Sequence, residues 1–148
     1  MANVYGTNAT EAFVTAGGTV QSAKAGGRIR SLVDTYEAAA LAATSNIIIG
    51  GKTLPAGAEI LPSSFIQFDD LGTGVTADLI LVAVDGAAEI TIVADVDVAA
   101  SAVTLDFSAI ANIGALPVTV AAESYLAIKI GDAAATGTIV ANIEYVID

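Results

Sequence analysis

Apolar and polar side chains alternate along residues 88–98, and this alternation predicts a β-strand. The positions of one parity are Ile90, Ile92, Ala94, Val96 and Val98. The positions of the other parity are Glu89, Thr91, Val93, Asp95 and Asp97, with Val93 the one apolar exception. The pattern therefore predicts a strand with one buried, apolar face and one solvent-exposed, acidic face.

The strand at 88–98 is predicted to form a hairpin with the segment before it. Residues 75–84 are the most continuously apolar part of the chain, which indicates the most buried strand. Asp85-Gly86 follows, and this dipeptide favours the tight turn that joins two antiparallel strands. We expect the two strands to pair directly.

The same alternation recurs through the rest of the chain and predicts an all-β protein of about eight strands. The further strands are predicted at 28–37, 46–49, 59–68, 103–107, 125–130 and 138–147, with a short one at 118–120. Ala38–Ala43 is interpreted as strand continuation or turn, and Pro62 indicates an edge position or a bulge within 59–68. The predicted fold is an antiparallel β-sandwich or jelly roll.

The first 27 residues are predicted to form an extended N-terminal arm ahead of a sandwich domain at 28–148, because glycines interrupt every periodic pattern there. Residues 1–30 carry three cations against one acid, whereas the rest of the chain carries two cations against fifteen acids. A basic arm could contact an acidic partner, or its glycine pairs could form an anion nest. The arm is the preferred interpretation, and the candidate interface residues are Tyr5, Lys24, Arg28 and Arg30.

Composition argues against several classes of function. The chain has no His and no Cys, which removes the usual general base, the thiol nucleophile and the commonest zinc ligands. The net charge of -11 opposes nucleic-acid binding, and no apolar run reaches the length of a membrane-spanning helix. We expect a protein that is not an enzyme and has no cofactor, no metal, no nucleic-acid partner and no membrane partner.

Three local motifs are open to a chemical interpretation. Gly51-Lys52-Thr53 resembles the end of a phosphate-binding loop, but Leu54-Pro55 follows instead of a helix, so a turn is the better interpretation. Asp95 and Asp97 share a strand face and could bind calcium, although an exposed acidic surface explains them equally well. Asp69-Asp70 opens a glycine-rich loop that is typical of a turn.

Several stretches together resemble small virion proteins of tailed bacteriophages, of the capsid decoration (cement) type. These stretches are residues 1–8, 27–30, 34–36, 54–58, 65, 70–72, 133–139 and 144–148. The resemblance implies a structural protein on the capsid surface of the virion, made in the host bacterial cytoplasm. It implies binding to the major capsid protein of the shell, self-association as a homotrimer, and no catalytic residues.

The alternative is a carbohydrate-binding or receptor-binding β-sandwich module, such as a domain of a head or tail fibre. Carbohydrate sites usually present aromatic side chains as platforms. The chain has four Tyr, four Phe and no Trp, which makes this alternative the weaker of the two.

Overall fold

The computed structural model describes residues 3–5, 29–86, 88–99, 101–109 and 118–147. In this part of the chain eleven strands and one short 3-10 helix, Phe107–Ala109, make up the regular structure. The strands are β1 (Asn3–Tyr5), β2 (Ile29–Leu41), β3 (Asn46–Ile48), β4 (Glu59–Ile60), β5 (Phe65–Phe68), β6 (Thr76–Ala83), β7 (Glu89–Asp97), β8 (Val103–Asp106), β9 (Val118–Thr119), β10 (Ser124–Gly131) and β11 (Ala135–Val146). No helix of the described residues is long and apolar enough to cross a membrane.

The first sheet has five strands in the order β1-β3-β10-β6-β7. β10 lies at its centre and pairs antiparallel with β3 on one side and β6 on the other. β1 pairs with β3 and is parallel to it, so residues 3–5 of the predicted arm belong to this sheet. The division at residues 27 and 28 stays a prediction.

The second sheet is built around β11, the longest strand after β2. β2 pairs with one edge of β11, and β5 and β4 lie end to end along its other edge. β8 and β9 extend the sheet beyond β5 and β4. Every pairing in this sheet is antiparallel.

One hydrophobic core joins the two sheets. Leu79, Leu126 and Ile128 from the first sheet belong to the same buried cluster as Ile66 and Ile143 from the second. A smaller cluster uses the opposite face of the first sheet, because side chains alternate along each strand: Ile48, Ile80, Val82 and Ala127. β6 and β10 are therefore buried on both faces, and β6 is the continuously buried strand that its sequence predicts.

The main sequence predictions for the fold are confirmed. The protein is all-β, with two sheets arranged as a β-sandwich, and β6 and β7 form the predicted antiparallel pair after the turn at Asp85-Gly86. The alanine-rich stretch after residue 37 continues β2 as far as Leu41. The jelly-roll form of the sandwich stays a prediction.

The prediction that one face of β7 is buried along its whole length is wrong, because Ile90 and Ala94 are exposed. Ile92 and Val96 pack against the core as predicted. Ile90 is 52% exposed, and no residue between Glu89 and Asp97 is buried. β7 is the last strand of its sheet, and its register with β6 shifts twice. Asp95 has φ 56° and its backbone N–H donates to Asp78 Oδ1 at 2.8 Å, so the alternation of faces is interrupted before Val98 enters the core.

The single strand predicted at 59–68 is also wrong, because the chain leaves the sheet at Pro62 and returns as β5. Both halves have neighbours on two sides, so Pro62 marks neither an edge strand nor a bulge. Between β4 and β5 the Ser64 hydroxyl bonds to the backbone of β11 instead. Glu144 N–H donates to Ser64 Oγ at 2.9 Å, and Ser64 Oγ donates to Glu144 O at 3.2 Å.

Candidate binding site: a cavity at the strand ends

A cavity of about 540 Å³ opens where β2 and β10 begin and β11 ends. We call it the strand-end cavity and define it by six of its lining residues: Arg30, Lys52, Thr53, Glu123, Tyr125 and Tyr145. It is open to solvent rather than enclosed, and its volume is within the usual range for ligand pockets. The cavity is therefore large enough to bind a small group or a few side chains of a partner.

Arg30 is placed at the cavity by the pairing of β2 with β11. It lies directly opposite Tyr145, and it shares a strand face with Leu32 and Asp34, which are 4% and 2% exposed. Because Arg30 stands at the open end of that face, its side chain is exposed while its neighbours along the strand are buried. The sheet therefore presents a guanidinium at the rim of the sandwich.

Lys52 is placed by a turn that is fastened to both sheets. Gly50 and Gly51 have φ 76° and 66°, which glycine adopts without steric cost. Gly50 N–H donates to the buried Asp34 Oδ2 at 2.9 Å, so the turn is bonded to β2. On its other side Leu54 exchanges two backbone hydrogen bonds with Ser124, at 2.8 and 3.0 Å.

The remaining side chains give the cavity a polar rim and an aromatic wall. Thr53 Oγ1 donates to Glu123 Oε1 at 2.6 Å, which holds this carboxylate beside the turn. Tyr145 is 5% exposed, and Tyr125 is partly buried on β10. Aromatic rings with a hydroxyl group can pack on apolar atoms and donate a hydrogen bond at the same time.

The charge of the cavity differs from that of the protein. Within the described residues the one ion pair joins Lys129 Nζ to Glu89 Oε2 at 2.7 Å, so neither Arg30 nor Lys52 has a carboxylate partner in that part of the chain. The whole chain has only five cations against sixteen acids. Two cations that have no carboxylate partner among the described residues lie at one cavity, and they are suited to an anionic group from outside.

A second polar cluster lies on the first sheet, around Glu89. Its carboxylate accepts hydrogen bonds from Lys129 Nζ at 2.7 Å and from Asn46 Nδ2 at 3.1 Å. These two hydrogen bonds lower the pKa of Glu89 below its ordinary value, because they favour the charged form. The cluster satisfies its own charges and is a structural tie between β7, β10 and β3.

The structure brings one of the four predicted interface residues to the cavity. Arg30 lines it. Tyr5 lies in β1, in register with Ile48 of β3. Lys24 and Arg28 lie outside the described residues.

The other lining residues were not predicted as a site. Lys52 was assigned to a turn, which is correct, and no function followed from that assignment. Tyr125 and Tyr145 lie twenty residues apart and on different sheets, so no spacing in the sequence connects them. The one usable signal was that Lys52 is one of only two cations after residue 30.

The acidic pair that suggested a calcium site is exposed and lies away from the cavity. Asp95 and Asp97 are both exposed, at the end of β7 that pairs with the start of β6. The described residues hold no group of three or more carboxylates placed to bind a metal ion. Asp95 and Asp97 are therefore interpreted as exposed acidic side chains on the edge strand of the first sheet.

Comparisons with known proteins return no match to a family model, to a curated protein or to a solved structure. The geometry of the strand-end cavity and the charge of the chain are therefore the basis for a functional proposal.

Proposed function

We propose that this protein is a structural virion protein that decorates and stabilises a bacteriophage capsid through non-covalent contacts. The observation that carries the proposal is the placement of Arg30 and Lys52, two cations without a carboxylate partner in the described part of the chain, at one cavity of an acidic protein. Such a surface is suited to docking rather than to chemistry on a substrate. The resemblance to decoration proteins supports the same function.

The acidic body suits a protein that is present in many copies on one particle. A net charge of -11 opposes non-specific self-association and contact with packaged nucleic acid. Specific docking then depends on local cations such as Arg30 and Lys52.

Closed symmetry at repeated lattice points favours a ring, and the proposal includes a homotrimer that binds the major capsid protein on the outer surface of the virion.

The proposal is tested with shells assembled from the major capsid protein of the same phage. Purified protein added to shells that lack it should bind saturably, with a copy number divisible by three, and should raise the temperature at which the shells disrupt. The matched control is the same titration with the protein unfolded beforehand by heat. Shells that bind no protein at low and at physiological salt would rule the proposal out.

The cavity wall favours one second candidate, a carbohydrate-binding or receptor-binding module. Tyr125 and Tyr145 both line the strand-end cavity, so two of the four tyrosines of the chain lie at one site. Paired aromatic rings are typical platforms for the apolar faces of sugars. Saturable binding on a glycan array that Tyr125→Ala abolishes and Tyr36→Ala leaves intact would establish this candidate over capsid decoration.

A further inference from the structure

We infer that the strand-end cavity binds carboxylate side chains from an acidic segment of the protein partner, and this inference rests on the proposed function. It names the chemistry that the docking surface recognises. Two cations, one carboxylate beside them and the rigid turn that carries Lys52 make the cavity suited to such a segment.

The two cations differ in what they can bind. Arg30 presents a planar guanidinium whose paired N–H groups match the two oxygens of a carboxylate. Lys52 presents a compact ammonium on a flexible stem. Both are exposed and both line the cavity, so a partner segment with two acidic side chains can use them together.

Glu123 limits the positive charge of the cavity. Its carboxylate lines the cavity and is held there by the hydrogen bond from Thr53. Among the described lining residues, two cations and this one carboxylate sum to a charge of +1, inside a protein of net charge -11. A nucleic acid carries one charge per phosphate along its whole length and is repelled by this surrounding charge, whereas a short segment with two carboxylates can place each of them against one cation.

The site is also organised before the partner arrives. The turn that carries Lys52 is bonded to Asp34 on one side and to Ser124 on the other. Arg30 belongs to a strand that is paired along its length with β11. The backbone of the site therefore loses little conformational entropy on binding, and a short acidic segment suffices as a ligand.

The direct test uses the folded protein and two peptides that differ only in charge. The probes are acetyl-Ala-Glu-Ala-Glu-Ala-amide and acetyl-Ala-Gln-Ala-Gln-Ala-amide, titrated while the ring resonances of Tyr125 and Tyr145 are followed by NMR. We expect the glutamate peptide to shift these resonances saturably and the glutamine peptide to bind at least tenfold more weakly. Equal binding of the two peptides, or tighter binding of inorganic phosphate, would overturn the inference.

Single substitutions of matched charge locate the site. Arg30→Gln and Lys52→Gln should each weaken binding of the glutamate peptide about tenfold, whereas Lys129→Gln, which also removes one cation, should leave it unchanged. Glu123→Gln keeps an oxygen that can accept from Thr53 and should strengthen the binding. If Lys129→Gln weakens binding as much as Arg30→Gln does, net charge is responsible and the cavity is not the site.

The same variants separate this inference from the proposed function. Peptide binding without any binding to shells would leave the cavity assignment standing and remove the capsid proposal. Shells that bind the Arg30→Gln/Lys52→Gln double variant as tightly as the wild type would leave capsid decoration standing and overturn the cavity inference.

Discussion

Gly50, in the turn after β3, lies close against Leu32 of β2. A Cβ added at Gly50 would lie 2.7 Å from the Leu32 Cβ, and Gly50 has φ 76°. We expect Gly50→Ala to destabilise the protein by about 2–5 kcal/mol, because a positive φ costs about 1–2 kcal/mol and overpacking about 1–3 kcal/mol more. Urea unfolding followed by circular dichroism measures the change.

Gly57 supplies the matched control for Gly50. It has φ 85°, but a Cβ added there meets no atom within 4 Å. Gly57→Ala should therefore show only the backbone cost of about 1–2 kcal/mol. If the two alanine variants unfold at the same urea concentration, the contact with Leu32 does not restrict Gly50, and the position of the Lys52 turn needs another explanation.

Glu89 gives the protein a pH dependence whose sign follows from its hydrogen bonds. The bonds from Lys129 and Asn46 lower the pKa of Glu89 below its ordinary value of 4.5. A carboxyl whose pKa is lower in the folded than in the unfolded state stabilises the fold above the unfolded pKa. This contribution is lost as the pH falls through the folded pKa.

The comparison of wild type with Glu89→Gln isolates that contribution. At pH 7 the variant should be less stable by up to about 1 kcal/mol, and the difference should shrink once the pH falls below 4.5 and Glu89 becomes protonated. The control is Glu59→Gln, at a carboxylate that makes no ion pair within the described part of the chain. A Glu89→Gln difference that stays constant from pH 7 to pH 3 would contradict the role of the ion pair.

At the scale of elements, Ser64 bonds to β11 in the interval between β4 and β5, where Pro62 interrupts the pairing. Ser64 is fully buried, and its hydroxyl bonds to both the N–H and the carbonyl oxygen of Glu144 in β11. Ser64→Ala should cost about 1–3 kcal/mol of unfolding free energy, because the partly buried Glu144 N–H loses its acceptor inside the sheet. Ser63→Ala removes only an exposed hydroxyl that donates to the Glu144 carboxylate, and it should cost less than about 0.5 kcal/mol. Similar thermal melts for the two variants would mean that Ser64 does not support the pairing.

The periodicity of the sequence predicted burial well for strands that pair with another strand on both sides. β6 is buried as its continuous apolar sequence predicts, because it lies between β10 and β7. β7 has a clearer alternation, yet Ile90 is exposed because the strand is at the edge and slips in register. Alternation reports which side chains share a face, but the position of a strand in its sheet decides whether that face is covered.

The candidate site was less predictable than the strands. Arg30 was singled out because residues 1–30 hold three of the five cations of the chain, and that local signal identified a residue of the cavity. Lys52, Tyr125 and Tyr145 come from a turn and two strands that only the sheet topology brings together. Non-local pairing of this kind leaves no spacing in a single sequence, so the cavity as a whole could not have been predicted.

At the scale of the whole molecule, uncompensated negative charge opposes compactness. Sixteen acids face five cations over 148 residues, and the described residues contain one ion pair. Like charges held close together in the folded state repel one another more strongly than in the expanded chain. Monovalent salt weakens this repulsion, because the screening length falls from about 30 Å at 0.01 M to about 8 Å at 0.15 M.

Salt should therefore stabilise the fold while it weakens the docking that the fold supports. Raising NaCl from about 0.01 to about 0.15 M at pH 7 should raise the melting temperature by about 2–4 °C, which corresponds to roughly 1 kcal/mol for a chain of this size. The same titration near pH 4.1, the isoelectric point, should give almost no change, since the net charge is then close to zero. Binding of the acetylated glutamate peptide at pH 7 should weaken over the same range of salt, because the contacts of Arg30 and Lys52 are exposed to solvent. A melting temperature that falls with salt at pH 7 would show that favourable charge pairs outweigh the repulsion. If salt raises the melting temperature and weakens peptide binding, then the repulsion within the whole protein and the attraction at the cavity are two separate electrostatic effects.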